Sequence, residues 1–314
     1  MERRSFLQAG MAGGVVGAVA LANAEPGHAH DGAKATFVFA HGSWHGAWCW
    51  AEVVPDLVAA GHGAIPLDLP GHGLDAKFPP SYFKRPLDME AFAAEKSHMA
   101  DISLDAFTDA VVAGVEQAKA GGAERVIVVG HSMGGVPITF AGEKAADSIE
   151  TLVFVTACMM PPGKPYSEYF AVPTQSDAKL GPVLIGDPGA TGGLRWDPRS
   201  TDADYLAAAR AALAHDVDDE MLQAAMNMLT PDAPISMYSE VPNLTKERYG
   251  SLRRAYVKCT QDWTIRPGTQ DLMIEEMDTA FPENKTMVYE LSSSHEPMLS
   301  QPKALASVLL KIAG

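Results

Sequence analysis

The stretch RVIVVGHSMGG, residues 125–135, places a serine in a glycine-rich turn directly after an apolar run. Residues 125–129 are rich in valine and isoleucine, which favours a strand, and the residues after 135 favour a helix. In this strand–turn–helix setting a Gly-x-Ser-x-Gly motif forms a nucleophile elbow, because glycines let the backbone turn tightly around Ser132. The stretch therefore predicts a nucleophilic serine at the start of a helix, where backbone N–H groups can meet an oxyanion.

Asp262 and His295, far downstream of Ser132 in the chain, complete a candidate catalytic triad. Asp262 shortly follows the strand-like run 253–259, and His295 shortly follows the run 286–291. The carboxyl ends of parallel strands meet at one edge of a sheet, so we expect both side chains near Ser132. His295 would take the serine proton and return it to the leaving group, and Asp262 would orient the imidazole and stabilise the imidazolium.

Other interpretations of these residues stay open. Asp262 could instead cap a helix that begins near Pro267, and His295 could have a capping or surface role. The chain has ten histidines. His131, beside the candidate nucleophile, is expected to pack beneath the elbow rather than to act as a base.

Several other segments carry a resemblance to a known family. They are HGSWHGAWCW at 41–50, LDLPGHG at 67–73, CTQD at 259–262 and SHEPMLSQP at 294–302. Together with the elbow they resemble the α/β-hydrolase superfamily, in the branch that contains plant methylesterases, hydroxynitrile lyases and related bacterial esterases. The resemblance covers roughly residues 34–160 and 250–314, and the middle of the chain matches no pattern.

This resemblance implies an oxyanion hole made of two backbone N–H groups, those of Ser43 and Met133. The resemblance also allows ester hydrolysis to be distinguished from cyanohydrin cleavage. The lyases of the branch carry a hydroxyl residue where this chain has Gly42, and a lysine where it has Glu296. A carboxylate beside a departing anion would repel it, so ester hydrolysis through an acyl-enzyme is favoured over cyanohydrin cleavage.

Alternating strand-like and helix-like segments predict an α/β fold, and the resemblance makes it an α/β-hydrolase fold. We expect a mostly parallel, doubly wound sheet with an inserted lid or cap. The predicted strands are 36–40, 63–68, 125–130, 150–156, 253–259 and 286–291, and the predicted helices include 47–60, 103–120, 133–146 and 297–313. The predicted core is 36–157 with 251–314, the lid or cap is 158–250, and residues 74–101 form a second insertion.

Apolar side chains near the elbow and in the cap are candidates for a substrate pocket. They are Trp44, Met159, Met160, Tyr166, Phe170 and Trp263, although each could equally be ordinary core or lid packing. Such a pocket suits a small or medium ester with an apolar or aryl part. The same triad could instead cleave a lactone, an amide or a carbon–carbon bond, and a non-catalytic binding protein is the remaining alternative.

The N-terminus has the pattern of a targeting segment. Arg3 and Arg4 precede Phe6-Leu7, an uncharged stretch follows, and residues 22–24 form an Ala-x-Ala-like cleavage site. We expect residues 1–24 to be a twin-arginine signal peptide and 25–35 a linker, with export to the periplasm or beyond. An uncleaved membrane anchor is the alternative, although the stretch is short and glycine-rich for a span of roughly 20 apolar residues.

The charge balance and the missing motifs limit the partners. The chain carries a net charge of −15, and residues 1–24 hold two arginines and one glutamate, so the remainder carries −16. This disfavours nucleic acid and anionic membrane surfaces as partners. There is no phosphate-binding loop, no HExxH and no metal-ligand cysteine spacing, so we expect no cofactor and no metal. A small-molecule ester is the expected partner, without stable membrane association after signal cleavage, and the oligomeric state stays open.

Overall fold

Six parallel strands form the central sheet of the protein in a computed structural model, which describes residues 34–314. The sheet strands are β1 (Ala35–Ala40), β2 (Gly63–Pro66), β3 (Arg125–His131), β4 (Thr151–Val155), β7 (Arg253–Cys259) and β8 (Met287–Leu291). Two short antiparallel strands, β5 (Gly193–Arg195) and β6 (Asp232–Pro234), form a separate two-stranded sheet. The order in the sheet is β2-β1-β3-β4-β7-β8, so the chain winds outward in both directions from the β1 and β3 pair.

Helices flank the sheet and fill the segment between β4 and β7. They are α1 (Val54–Ala59), α2 (Met89–Ala94), α3 (Leu104–Ala120), α4 (Gly135–Lys144), α5 (Pro188–Thr191), α6 (Ala203–Leu213), α7 (Asp219–Met228), α8 (Pro267–Ala280), α9 (Pro297–Ser300) and α10 (Pro302–Ala313). Within residues 34–314, no helix is both long and apolar enough to cross a bilayer.

The register of the sheet brings the catalytic candidates to one edge. Ala40 of β1 pairs with Gly130, His131 of β3 pairs with Val155, and Cys259 of β7 pairs with Leu291. The loops that follow these strands therefore all leave from the carboxyl edge. The central strands are almost completely buried, as expected for valine- and phenylalanine-rich strands covered on both faces.

All six predicted sheet strands are present, and two predicted helices are interrupted. The segment 47–60 divides into a 3-10 turn over Ala47–Trp50 and the helix α1. The segment 297–313 divides into α9 and α10 because Pro302 has no N–H to continue the first helix. Helix α3 begins as expected, with the Ser103 side chain accepting a hydrogen bond of 3.2 Å from the Ala106 amide.

The segment between β4 and β7 contains helices α5, α6 and α7 and also the two-stranded β5–β6 sheet, which the sequence did not predict. A buried ion pair joins the two strands: two guanidinium nitrogens of Arg195 each lie 2.7 Å from a carboxylate oxygen of Asp232. Arg195 also donates to the carbonyl oxygens of Phe92 and Glu95, so this small sheet is bonded to the insertion 74–101. Three-residue strands have too little periodicity to be recognised from sequence.

The predicted signal peptide, 1–24, lies outside the described residues, as does nearly all of the predicted linker, 25–35. At the end of that linker the structure differs from the prediction. Strand β1 already begins at Ala35, because this residue pairs with Arg125 at the start of β3.

Candidate active site

Ser132 lies at the junction of β3 and α4 in a left-handed backbone conformation, with φ of +49°. Such a conformation is uncommon for a residue other than glycine and marks a strained turn. The flanking glycines are needed because backbone atoms approach them closely. A Cβ atom at Gly130 would lie 2.7 Å from the Gly134 oxygen, and a Cβ atom at Gly134 would lie 2.5 Å from the Ala40 oxygen. The sequence folds locally as a nucleophile elbow.

Ser132, His295 and Asp262 form a continuous chain of hydrogen bonds. The Ser132 hydroxyl oxygen lies 2.8 Å from Nε2 of His295, and Nδ1 of His295 lies 2.6 Å from Oδ2 of Asp262. His295 is 2 % exposed and Asp262 is fully buried. Because the carboxylate can only accept, Nδ1 carries the ring proton and Nε2 is free to accept the serine proton.

The Asp262 carboxylate is fixed by three further donors. The Thr156 hydroxyl donates to Oδ2 at 2.5 Å, and the amides of Thr264 and Ile265 donate to Oδ1 at 2.6 and 3.0 Å. Thr156 directly follows β4 and also has a positive φ, of +36°. This threonine is not among the residues predicted from the sequence, and its position after a buried strand at the carboxyl edge is the signal that could have identified it.

The environment of His295 favours its protonated form. Burial alone would lower the pKa of His295, but the Asp262 carboxylate, its hydrogen bond and the Glu296 carboxylate raise the pKa above its ordinary value of 6.5. The imidazolium that forms when Ser132 loses its proton is therefore stabilised within the fold.

The loop after β1 packs directly against the elbow. A Cβ atom at Gly42 would lie 3.0 Å from Cβ of Ser132 and 2.7 Å from Nδ1 of His131. Ser43 follows Gly42 in this loop, and Met133 follows Ser132 in the elbow, so the amides of Ser43 and Met133 are the candidate donors to an oxyanion.

His131 packs beneath the elbow, as expected. Its Nε2 donates a hydrogen bond of 2.8 Å to the carbonyl oxygen of His295, and the ring is fully buried. Burial is the main cause that lowers the pKa of His131 to about 3, so the ring is neutral.

A cavity of about 400 Å³ opens above the triad. Its lining includes Ser132 and His295, and a largely apolar wall formed by Tyr166, Phe170, Leu180, Leu184, Ile235 and Tyr238. The Tyr238 hydroxyl lies 3.2 Å from the Ser43 hydroxyl, and together they form a polar spot in this wall. Tyr238 was not among the predicted residues, because it lies in the part of the chain without a recognisable pattern.

A second cavity, of about 650 Å³, lies between the inner faces of α6 and α7 and the core. Four residues line both cavities: Trp44, His45, Leu213 and Glu296. Trp44 is held in this dividing wall by a hydrogen bond of 2.8 Å from its indole nitrogen to the Leu194 oxygen. The side chains between the two spaces come from the loop after β1 (residues 41–46, the oxyanion loop), from α6 in the cap, and from the loop after β8 (residues 292–296, the histidine loop).

Three of the six predicted pocket residues line the cavity above the triad, and three do not. Trp44, Tyr166 and Phe170 are in its lining. Met159 and Met160, in the segment that follows β4, are fully buried in the hydrophobic core. Trp263 instead lies between two cations, with Nζ of Lys179 at 3.7 Å and the guanidinium carbon of Arg266 at 3.8 Å from its ring centre.

His131, His295 and Glu296 are close enough together to suggest a metal site by distance alone. Their hydrogen bonds do not suit one, however. Both nitrogens of His295 are engaged in the triad, and Nε2 of His131 donates to a carbonyl oxygen. A metal ion would have to break the triad to gain its ligands.

Comparison with known proteins places the chain in a family. Residues 37–308 match the family model described as the alpha/beta hydrolase family. Methylesterase 9 of Arabidopsis thaliana is 30% identical over 286 residues, covering 88% of this chain and 97% of the relative. Methylesterase 1 of the same plant is 29% identical over 287 residues, covering 89% of this chain and 96% of the relative.

Solved structures share the fold at lower identity. A pyrethroid hydrolase from Sphingobium faniae JZ-2 superposes with a TM-score of 0.68 at 21% identity, covering 90% of this chain and 97% of that one. Polyneuridine aldehyde esterase gives a TM-score of 0.64 at 22% identity, covering 90% of this chain and all of that one (100%).

Proposed function

The chain belongs to the alpha/beta hydrolase family, in the branch of the plant methylesterases, and is a hydrolase of the esterase type; we propose that it is a serine carboxylesterase that works through an acyl-enzyme. The observation that carries the proposal is the hydrogen-bond chain from Ser132 through His295 to Asp262, at the base of an apolar cavity. The reaction requires no cofactor, because the nucleophile, the base and the oxyanion donors all come from the chain.

The proposed reaction has two halves. In the first, Oγ of Ser132 attacks the ester carbonyl carbon while its proton moves to Nε2 of His295, and the amides of Ser43 and Met133 stabilise the oxyanion. The tetrahedral intermediate collapses, the bond to the alkoxide breaks, and His295 gives its proton to the alcohol. In the second half, water gives a proton to His295 while its oxygen attacks the acyl carbon. The second tetrahedral intermediate collapses, the bond between the acyl carbon and Oγ breaks, and His295 returns the proton to Oγ, which releases the acid and regenerates Ser132.

The volume and the lining of the cavity suit a small or medium ester with an apolar or aryl part. Its volume of about 400 Å³ lies within the range of small-molecule sites, roughly 300–1,000 Å³, and Tyr166, Phe170 and Tyr238 offer aromatic faces. The relatives named as methylesterases support ester bonds as the substrate class. Esters of aryl acids with small alcohols are therefore the first substrates to test.

Two features disfavour cyanohydrin cleavage. The residue after His295 is Glu296, an acid that lies 3.2 Å from Nε2 of His45 and offers no positive charge to departing cyanide. Position 42, where the lyases of this branch carry a hydroxyl residue, has no room for a side chain.

We also propose that the protein is exported by the twin-arginine route, a proposal that rests on the sequence of residues 1–24 alone. Cell fractionation of the full chain and of the Arg3→Lys/Arg4→Lys variant tests it. Export predicts a processed periplasmic or secreted form that the double variant lacks. An unprocessed cytoplasmic form that does not respond to the substitutions would contradict it.

The esterase proposal is tested with p-nitrophenyl esters of increasing acyl length and with methyl esters of aryl acids. The wild-type chain and Ser132→Ala are compared after circular dichroism shows that both are folded. We expect hydrolysis by the wild type that the variant loses. Equal hydrolysis by the folded variant, or no hydrolysis by the wild type, would contradict the proposal; activity confined to a lactone, an amide or a carbon–carbon bond would favour the alternative use of the triad.

A further inference from the structure

His45, in the loop after β1, is held at both ring nitrogens. Its Nδ1 lies 2.7 Å from the carbonyl oxygen of Ser43, and its Nε2 lies 3.2 Å from Oε2 of Glu296. The carbonyl oxygen can only accept a hydrogen bond, so Nδ1 of His45 carries a proton. The contact with Glu296 is an ion pair by distance rather than a hydrogen bond, because Oε2 of Glu296 has no hydrogen-bond partner among the described residues. Trp48 stacks on the ring, with centroids 5.4 Å apart and an angle of 24° between the planes.

Glu296 is an unusual residue for its position, because it is an acid that is only 3 % exposed. Burial alone would raise the pKa of Glu296, but the neighbouring His45 is the main cause that lowers it to about 2. A buried carboxylate is costly unless it is paired, and the pair with His45 supplies that compensation. The charge is therefore retained at this place in the fold.

The two ends of this ion pair are attached to two parts of the candidate catalytic machinery. At one end His45 holds the carbonyl oxygen of Ser43, the residue whose own amide is a proposed oxyanion donor. At the other end Glu296 is bonded directly through the chain to His295. The pair connects the oxyanion loop to the histidine loop without passing through Ser132.

We propose that Glu296 is a positioning residue, which acts through His45 to hold the oxyanion loop at a fixed position relative to His295. Oxyanion stabilisation depends on donors fixed before the reaction, so a small displacement of the Ser43 amide weakens the transition state while leaving the apolar cavity intact. The inference rests on the proposed esterase function, since it assigns a role within that reaction.

The test is a double-mutant cycle on kcat/KM with Glu296→Ala, His45→Ala and the combined variant. Each single variant is expected to lower kcat by roughly 10-fold to 100-fold, less than the loss when a donor is removed outright, about 100-fold to 1,000-fold, with KM changed less than about threefold. Because both residues act in one connection, the combined variant should be little worse than the poorer single variant. Additive losses, or unchanged kcat in Glu296→Ala, would overturn the inference.

Conservative variants separate positioning from simple loss of stability. In Glu296→Gln the amide can still donate to Nε2 of a neutral His45 whose Nδ1 continues to donate to Ser43, so we expect most of kcat to return. If Glu296→Ala does not fold, His45→Phe keeps the ring stacked on Trp48 while removing both polar contacts, and kcat should fall as in the alanine variant. A folded His45→Phe variant with wild-type kcat would overturn the inference.

The affinity for a trifluoromethyl ketone is a readout that altered packing alone would not change. It forms a tetrahedral adduct on Ser132 whose oxyanion needs the Ser43 amide, so its affinity should fall in Glu296→Ala by about the same factor as kcat/KM. Unchanged affinity for the ketone would contradict the inference. The control is Glu150→Gln, which removes a carboxylate paired with Arg125 and Arg253 at the opposite edge of the sheet, and which should leave both quantities at wild-type values.

The rate of ester hydrolysis by the wild-type chain distinguishes a failure of the proposed function from a failure of the positioning role. If the wild-type chain hydrolyses no ester, the proposed function fails and the positioning role falls with it. If the wild type hydrolyses esters and Glu296→Ala does so equally well, only the positioning role fails.

Discussion

The backbone N–H of His295 donates a hydrogen bond of 3.1 Å to the carbonyl oxygen of Leu213, the last residue of helix α6. One residue earlier, the Ala212 oxygen accepts a hydrogen bond of 2.9 Å from the Thr264 hydroxyl, beside Asp262. The cap helix is thus bonded to both loops that carry the acid and the base. Since Leu213 also lines both cavities, a residue that bounds the cavity above Ser132 is bonded to the segment that carries His295.

Leu213→Ala should enlarge the acyl space without removing this backbone hydrogen bond. Because Leu213 lies in the wall between the two cavities, the variant should shift the preferred p-nitrophenyl ester towards longer acyl chains. The free energy of unfolding should fall by about 2–5 kcal/mol, as for other buried leucines. Leu229→Ala, in a residue that lines only the second cavity, is the control. An unchanged chain-length optimum in Leu213→Ala would show that the wall does not limit the substrate.

Asp262→Asn should lower kcat by about 10⁴-fold and move the acidic limb of the kcat/KM profile. The direction in which the acidic limb moves follows from the pKa of His295. Its pKa is raised by the Asp262 carboxylate, and only the neutral ring can act as a base, so the wild-type limb lies above the ordinary value of 6.5. Without the carboxylate the limb should move to lower pH. Asp271→Asn, an exposed residue paired with Lys258, should keep the wild-type profile; a limb that stays in place in Asp262→Asn would contradict the assignment.

Gly42→Ala should damage catalysis more than stability. The added methyl group would lie 3.0 Å from Cβ of Ser132 and 2.7 Å from Nδ1 of His131, so the oxyanion loop or the elbow must shift. We expect kcat to fall by roughly 10²-fold or more, as when an oxyanion donor is lost. Gly121→Ala, where the methyl group meets only ordinary contacts at 3.4 Å, is the control. A fully active Gly42→Ala variant would contradict this expectation, because the loop could then admit the methyl group without loss of catalysis.

Trp263→Ala should loosen the cap. The ring lies between Lys179 of the cap and Arg266 of the core, and each cation–π contact contributes roughly 0.5–2 kcal/mol. We expect faster limited proteolysis within residues 173–181 and a smaller free energy of unfolding. Phe83→Ala replaces an aromatic side chain that is 63 % exposed and should have neither effect. Unchanged proteolysis in Trp263→Ala would show that other contacts hold this segment.

The sequence was sufficient for the sheet and for the three residues that meet at its edge. The strands could be predicted because each is a short apolar run, and Ser132, Asp262 and His295 could be aligned because parallel strands end at one edge. The contacts of Asp262 favour the triad interpretation over the helix-cap alternative: its carboxylate faces His295, and the N-cap residue of α8 is Arg266.

The cap could not be predicted in the same way, because its contacts join segments far apart in the chain. Trp263 was expected in the pocket as an aromatic residue next to Asp262, but its neighbours Lys179 and Arg266 decide its place. Glu296 was noted only as a departure from the lyase pattern, since nothing in the sequence reveals that His45 lies opposite. The charges and rings that meet across a fold depend on tertiary packing rather than on local periodicity.

The most direct measurement is the detection of the acyl-enzyme itself. Rapid mixing with a p-nitrophenyl ester, followed by acid quenching and mass spectrometry, shows whether an acyl group becomes attached to Ser132. The account predicts an acyl mass increment on the peptide that contains Ser132, formed as fast as the first p-nitrophenol is released and absent from Ser132→Ala. Continued turnover without any acylated Ser132, or an adduct on another residue, would contradict the proposed mechanism.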